Sequence, residues 1–232
     1  NTTADNNTGV GYHSLKANTT GQYNTAVGAL ALDANTTASA NTAVGNGALG
    51  ANTTGASNVA VGSNCLLSNT TANNNTAVGH SALSANTTAV DNTAVGKDAL
   101  LTTTTGHENT AMGVSALKLT TTGRSNVAMG RETMQNNTTG DYNTALGYEA
   151  LKANTTADEN VAVGRNTLQT NTTGTANTAV GTYALRDNVT ADNNTAVGKN
   201  ALLENEASNN TGIGYQAGQA NTTGTQYVFV GY

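Results

Sequence analysis

The chain has 232 residues, with 9 Lys and Arg against 14 Asp and Glu, so its net charge at pH 7 is −5. It contains one Phe, no Trp and no Pro, and its apolar residues are mostly Ala, Val and Leu, which are too small and too evenly spread for one thick core. The mild negative charge gives no electrostatic footprint for a nucleic-acid partner. No apolar run reaches the length of a membrane-spanning helix, and the single Cys65 excludes a disulfide framework within the chain.

One short motif, N-[TV]-A-[VMLI]-G with few variants, organises the whole sequence. Its Asn, which defines slot 1 of the repeat, recurs every 17 residues from Asn7 to Asn194. One residue is then lost in 202–210, and the motif returns at Asn210 and, as YVFVG, at Tyr227, which gives 14 copies. A fixed period of this kind predicts one continuous array over residues 1–232 in which each unit contacts mainly its neighbours. Because the chain begins and ends mid-repeat, we expect it to be a segment of a longer array, or to stack head to tail on copies of itself.

The residues of each repeat favour strands over helices. Asn, Thr and Gly dominate and are poor helix formers, and the apolar residues form two short pieces separated by turn-prone residues. The sequence therefore predicts an all-β parallel β-solenoid of about 14 coils of 17 residues each, with a thin core of Val, Leu and Ala.

Alternation along the strand assigns faces to the slots. Slot 4 is always apolar, and slot 2 is Thr or, in four copies, Val. Since slots 2 and 4 share one face of a strand, we expect both to point into the solenoid, opposite a second wall formed by slot 9, which is Leu or Met134 until Gly218. Slot 3 is Ala in eleven copies, so we expect a closely packed neighbour on that face.

Slot 5 is Gly in all 14 copies, which predicts a structural turn that needs positive φ or close backbone approach. The internal members of this set are Gly28, Gly45, Gly62, Gly79, Gly96, Gly113, Gly130, Gly147, Gly164, Gly181 and Gly198.

Eight of the nine basic residues occupy two slots, which we therefore expect to face solvent. Slot 6 holds Lys97, Arg131, Arg165 and Lys199, and slot 10 holds Lys16, Lys118, Lys152 and Arg186.

The motif resembles a known family of repeats. Asn58–Gly62 and Asn160–Gly164, both NVAVG, are similar to the S-V-A-I-G core of YadA-like head repeats in trimeric autotransporter adhesins. The NTAVG–AL–NTTG array also looks like arrays in phage tail-fibre and bacterial surface proteins. The resemblance implies a left-handed β-roll and a homotrimer in which the Ala face of slot 3 meets the neighbouring chains near the axis. The period is longer than that of the adhesin heads, and the NTT segment is not part of their motif.

The NTT segment, which begins at slot 12, has two interpretations. Asn and Thr side chains can satisfy backbone groups in a tight turn and form a hydrogen-bonded ladder. Alternatively, N-T-T is an acceptor for N-linked glycosylation on a secreted chain, and the Thr residues could carry O-linked sugar. Besides Asn1, the candidate glycosylation sites are Asn18, Asn35, Asn52, Asn69, Asn86, Asn137, Asn154, Asn171, Asn188 and Asn221.

Catalysis, cofactors and metal binding find no support in the sequence. His13, His80 and His107 lie in three different slots, so no catalytic set converges, and the G-G-x-G-x-D pattern of calcium-binding β-rolls is absent. Regular Thr rows also suggest ice binding as a function, but the sequence lacks a T-x-T row and slot 2 is expected to point inward.

We therefore predict a structural protein: a segment of an extracellular fibre or filament on a cell surface or virion, not an enzyme. An adhesin or tail-fibre module that binds a carbohydrate or another cell-surface ligand through the outward slots is the alternative, and an ice-binding solenoid is a remote one. The expected partners are other copies of the chain, as a trimer or head to tail, without nucleic acid and without a membrane span.

Overall fold

The computed structural model describes residues 3–231 and shows an all-β parallel β-solenoid of about 13 turns, with coils of about 17 residues and no helix in the described part of the chain. The predicted fold class is therefore confirmed. The chain divides into two compact units, Asn1–Ser115 and Ala116–Tyr232, which are described separately below.

In the first unit, each coil contributes one three-residue strand formed by slots 2 to 4. Neighbouring strands pair in parallel with equal slots opposite each other, as in Ala26 opposite Ala43. The strands are β1 (Thr8–Val10), β2 (Thr25–Val27), β3 (Thr42–Val44), β4 (Val59–Val61), β5 (Thr76–Val78), β6 (Thr93–Val95) and β7 (Thr110–Met112).

The second unit repeats this pattern with seven further strands. The loss of one residue in 202–210 does not change the strand register, as the pairing of Thr195 with Thr211 shows. The strands are β8 (Val127–Met129), β9 (Thr144–Leu146), β10 (Val161–Val163), β11 (Thr178–Val180), β12 (Thr195–Val197), β13 (Thr211–Ile213) and β14 (Val228–Val230).

The core of each coil is made by slots 3, 8 and 9, which corrects the predicted faces of the strand. Ala77 in slot 3, Ala82 in slot 8 and Leu83 in slot 9 are fully buried, whereas Val61 and Val180 in slot 4 are 36% and 38% exposed. The expectation that slots 2 and 4 point inward is wrong, and so is the expectation that the Ala face meets other chains. A coil of 17 residues encloses little space, and a methyl group opposite a Leu fills it.

The two terminal coils show that slots 3 and 9 face each other. Phe229 stands in slot 3 where most coils have Ala, and Gly218 stands in slot 9 where most have Leu. A Cβ on Gly218 would lie 2.8 Å from Cγ of Phe229, so the large ring occupies the volume that the missing side chain leaves. A large residue in slot 3 thus compensates for the missing side chain in slot 9, as in a volume-conserving exchange.

Each coil turns through residues with positive φ. The slot-5 glycines take φ near +135°, for example +135° at Gly62 and +134° at Gly28. Slots 7, 9 and 17 adopt the left-handed region with side chains present, as in Leu83 at +51° and Asn74 at +60°. A left-handed conformation costs a non-glycine residue about 1 kcal/mol, so its repetition shows that the stacked coils enforce it.

Candidate interaction surface

The outward side of the strands forms an uncharged surface, here called the sheet face, made of the side chains of slots 2 and 4. In the first unit slot 2 is Thr in six of seven strands, and slot 4 is Val in six of seven. Ten of the fourteen slot-4 side chains are among the exposed large hydrophobic groups of the protein, for example Val44 at 36%, Met129 at 39% and Ile213 at 45%, and the other four are half-buried. Because equal slots pair in register, each unit displays two in-register rows with about 4.8 Å between neighbours.

Two ladders of buried Asn side chains hold the coils together beside the sheet. The slot-1 ladder is the more complete. Oδ1 of Asn160 accepts a hydrogen bond from the backbone N–H of Asn177 at 3.0 Å, and its Nδ2 donates to the carbonyl of Gly174 at 2.9 Å. The backbone N–H of Asn160 in turn donates to Oδ1 of Asn143, so the pattern passes from coil to coil. Buried amide groups are thereby satisfied without any change of register.

The slot-12 side chains form the second ladder, which bears on the glycosylation candidates. Nδ2 of Asn154 donates to Oδ1 of Asn137 at 2.8 Å and to the carbonyl of Ala157 at 3.1 Å, and Asn154 is fully buried. Most of the ten candidates are equally buried and Asn221 is partly buried, while Asn1 lies outside the described residues. A glycan attaches through Nδ2, so joining one to the folded chain would break these hydrogen bonds and open the coil. The geometry favours the ladder interpretation.

The charges of the second unit form a local network on slots 6, 7 and 10. Nζ of Lys152 lies 2.7 Å from carboxylate oxygens of both Glu132 and Glu149, and Arg131 pairs with Glu132 at 2.8 Å. The hydrogen bond from Lys152, followed by that from Arg131, lowers the pKa of Glu132 to about 2, and Lys152 also lowers the pKa of Glu149. The pKa of Lys152 is raised by the same two carboxylates.

This network predicts a specific response to acid. The folded-state pKa of Glu132 is depressed, so its contribution to stability is present above pH 4.5 and is lost as the pH falls towards about 2. We expect Glu132→Gln to reduce the fall in melting temperature between those two pH values, as followed by circular dichroism. Glu206→Gln, at an exposed position, serves as the control and should keep the wild-type slope. Parallel curves for wild type and Glu132→Gln would contradict the prediction.

Tyrosines and cations of neighbouring coils lie side by side on the same surface. The guanidinium of Arg165 lies 5.6 Å from the ring centroid of Tyr183, and Nζ of Lys199 lies 6.0 Å from that of Tyr215. These distances fit cation–π contacts at exposed sites, which stabilise by about 0.5 to 1 kcal/mol each.

No group of three or more His, Cys, Asp or Glu within residues 3–231 could hold a metal ion. Cys65 is buried with its Sγ 2.6 Å from the carbonyl of Gly79, and burial raises its pKa. A shallow hollow beside the shortened coil is lined by Val189, Thr190 and Glu206. Within residues 3–231 there is no helix of the length and apolarity that crossing a bilayer requires.

The fold thus defines the class of protein: an all-β parallel β-solenoid built from a 17-residue repeat. Comparisons with protein-family models, with curated proteins and with solved structures find no match to this chain. The resemblance to adhesin head repeats therefore rests on the motif alone.

Proposed function

We propose that the chain is a structural segment of an extracellular fibre, at a cell surface or on a virion, that assembles with copies of itself as a trimer through the sheet face. The observation that supports this is the sheet face: an uncharged row of Thr and Val beside a row of Val, Met, Leu and Ile, most of which are exposed. Soluble monomers rarely expose long continuous apolar rows, and such rows are typical of protein interfaces. A second copy matches this surface by construction, because its own face has the same period.

The hydrogen bonds between successive coils suit a mechanical role. Slots 2 to 4 pair through parallel backbone hydrogen bonds, and the two Asn ladders add side-chain bonds in the same direction. A unit stabilised mainly by nearest-neighbour contacts tolerates variation on its outward slots while keeping its register. Those slots could then carry an adhesive function towards a carbohydrate or cell-surface ligand.

The proposal is tested by the mass of the particle in solution. We expect wild type to sediment as three chains of 23.3 kDa each, and Val180→Asp to shift the mass towards a single chain with an unchanged circular dichroism spectrum. The reason is that Val180 would lie in the interface, where an unpaired carboxylate is costly. Thr173→Asp, at an exposed slot-14 position away from the sheet face, is the matched control and should keep the wild-type mass. A monomeric wild type at all concentrations would overturn the proposal.

Ice binding is a second candidate, because slot-2 Thr points outward and not inward as the sequence suggested. In the first unit the Thr row and the Val row lie side by side on one sheet, as at Thr76 and Val78. Such a surface can order water only if it remains uncovered, so the two candidates exclude each other on the same face. A monomer that shows thermal hysteresis, lost in Thr76→Lys/Thr93→Lys, would favour ice binding; an oligomer without hysteresis would exclude it.

A further inference from the structure

Two edges of opposite charge flank the sheet face. Slot 6 follows each strand, and it holds four bases and no acid in the whole chain. Slots 16 and 17 precede each strand, and they hold seven of the fourteen acids and one base, Arg124. We call slot 6 the basic edge and slots 16 and 17 the acidic edge. The acids of the acidic edge are Asp5, Asp91, Glu108, Asp141, Asp158, Glu159 and Asp192.

The two edges also correspond coil by coil. Three of the four basic-edge cations have an acid six or seven residues earlier, on the acidic edge at the start of the same strand. The pairs are Lys97 with Asp91, Arg165 with Asp158 and Glu159, and Lys199 with Asp192. In seven coils neither position holds an acid, Lys or Arg, and in three an acid precedes an uncharged slot 6.

The exception is Arg131, which is preceded by Arg124. Both of these cations have partners within the chain: Arg131 pairs with Glu132 at 2.8 Å, and Arg124 pairs with Asp141 at 3.2 Å. Their like charges are thus compensated locally.

The matched charges do not satisfy each other within one chain. The strand lies between the two edges, and six residues that include an extended segment separate them by well over 10 Å. Lys97 lies 3.8 Å from Asp98 in the next slot, Arg165 lies beside Tyr183, and Lys199 lies beside Tyr215, so none of these contacts is with the acidic edge. On the other edge, Asp158 accepts the backbone N–H of Asp141 at 2.7 Å. The correspondence therefore points outside the chain.

Height along the solenoid allows the same groups to meet between chains. Six or seven residues are less than half a coil, so Glu159 and Arg165 differ in height by only about 2 Å when a coil rises about 4.8 Å. If two parallel copies turn their sheet faces to a common axis, the basic edge of one lies next to the acidic edge of the next at the same level. An antiparallel pair would instead place basic edge against basic edge and acidic edge against acidic edge.

We propose that the basic edge of one copy binds the acidic edge of a second, parallel copy, so that Arg165 pairs with Glu159 or Asp158 of the neighbour and the contact closes into a ring. This inference rests on the proposed self-association through the sheet face and adds its orientation and its edge contacts. Opposite edges meeting in one sense around an axis form a heterologous interface that closes by rotation. Like-charged edges disfavour the antiparallel alternative, which is how charge pattern commonly selects between pairings.

A charge exchange tests the contact. We expect Arg165→Glu alone and Glu159→Arg alone to weaken association about tenfold at low salt, since a ring repeats the contact at every interface, and the double variant to recover most of the loss. Both side chains are exposed, so circular dichroism should remain that of wild type. Sedimentation equilibrium gives the association constants. Reversals that leave association unchanged, or a double variant no better than the singles, would overturn the edge contact.

Thiol cross-linking tests the orientation. In a Cys65→Ala background, Arg165→Cys/Glu159→Cys treated with a short bis-maleimide should give linked chains up to a closed ring on a denaturing gel. Arg165→Cys alone should give none, and a dimer of that single variant would reveal antiparallel pairing and overturn the proposal.

The outcomes separate the two claims. If wild type is monomeric, the proposed function fails and the edge contact fails with it. If wild type is an oligomer that charge reversal does not affect, only the edge contact fails. If Arg165→Glu leaves the oligomer intact but abolishes retention on immobilised heparin, the basic edge binds an acidic polysaccharide and the inference is wrong.

Discussion

Replacing Asn160 by Thr is expected to lower the free energy of unfolding by about 2 to 5 kcal/mol. The single hydroxyl of the shorter Thr side chain cannot reach both partners of the amide, whose Oδ1 accepts from the backbone N–H of Asn177 at 3.0 Å and whose Nδ2 donates to the carbonyl of Gly174 at 2.9 Å. Each buried group left without a partner costs about 1 to 3 kcal/mol. Equilibrium urea denaturation at fixed protein concentration measures the change.

The matched control is Asn154→Thr in the slot-12 ladder. That ladder already contains Thr103 and Thr120, and Nδ2 of Asn137 lies 3.5 Å from Oγ1 of Thr120. We therefore expect a cost below about 1.5 kcal/mol, the size of one ordinary hydrogen bond. If both substitutions cost the same, the slot-1 ladder has no special role.

The fold class could be predicted because the repeat restricts the alternatives so strongly. A fixed period forces equal residues onto equal positions, and residues of low helix propensity with short apolar pieces leave a parallel solenoid as the consistent arrangement. The same argument places slot 9 in the core, where Leu83 and the slot-9 residues from Leu32 to Leu202 are fully buried.

The direction of the strand faces could not be predicted by the same reasoning. Alternation shows that slots 2 and 4 share a face, but not which face is inside, and the larger apolar residues were assigned inward by default. The discriminating signal was present at Phe229 and Gly218, whose sizes are exchanged relative to other coils. Reading them as a compensating pair would have placed slot 3 opposite slot 9 and turned Val and Thr outward.

The backbone conformation could be predicted from the sequence only in part. Slots 7 and 17 are rich in Asn, Asp, Ser and Gly, which is a signal for left-handed residues. Slot 9 gives no such signal, because Leu83 and its equivalents adopt φ near +50° only where stacked coils impose it. The sheet face could not be predicted for a related reason. Its outward orientation depends on the positive-φ turn at slot 9, which the sequence does not indicate.

Substituting Gly62 by Ala is the other change for which we expect a large effect, a loss of about 4 kcal/mol in the free energy of unfolding. Gly62 has φ +135°, a region that costs other residues about 1 to 3 kcal/mol. An added Cβ would also lie 2.6 Å from the carbonyl oxygen of Gly79 and 3.1 Å from Sγ of Cys65. The neighbouring backbone belongs to the next coil, so relief of this contact would require the two coils to separate.

Gly50→Ala in the same unit provides the control. Its nearest neighbours to an added Cβ are the carbonyl oxygen of Gly47 at 3.3 Å and Cδ1 of Leu67 at 3.4 Å, and other coils carry side chains in its slot. We expect a change within about 1 kcal/mol, of either sign, since Ala also restricts the unfolded chain. Thermal and urea denaturation of the two variants at equal concentration make the comparison. Equal stabilities would mean that the slot-5 glycines are not required by the close approach of successive coils, and the account of how the turns allow stacking would have to be abandoned.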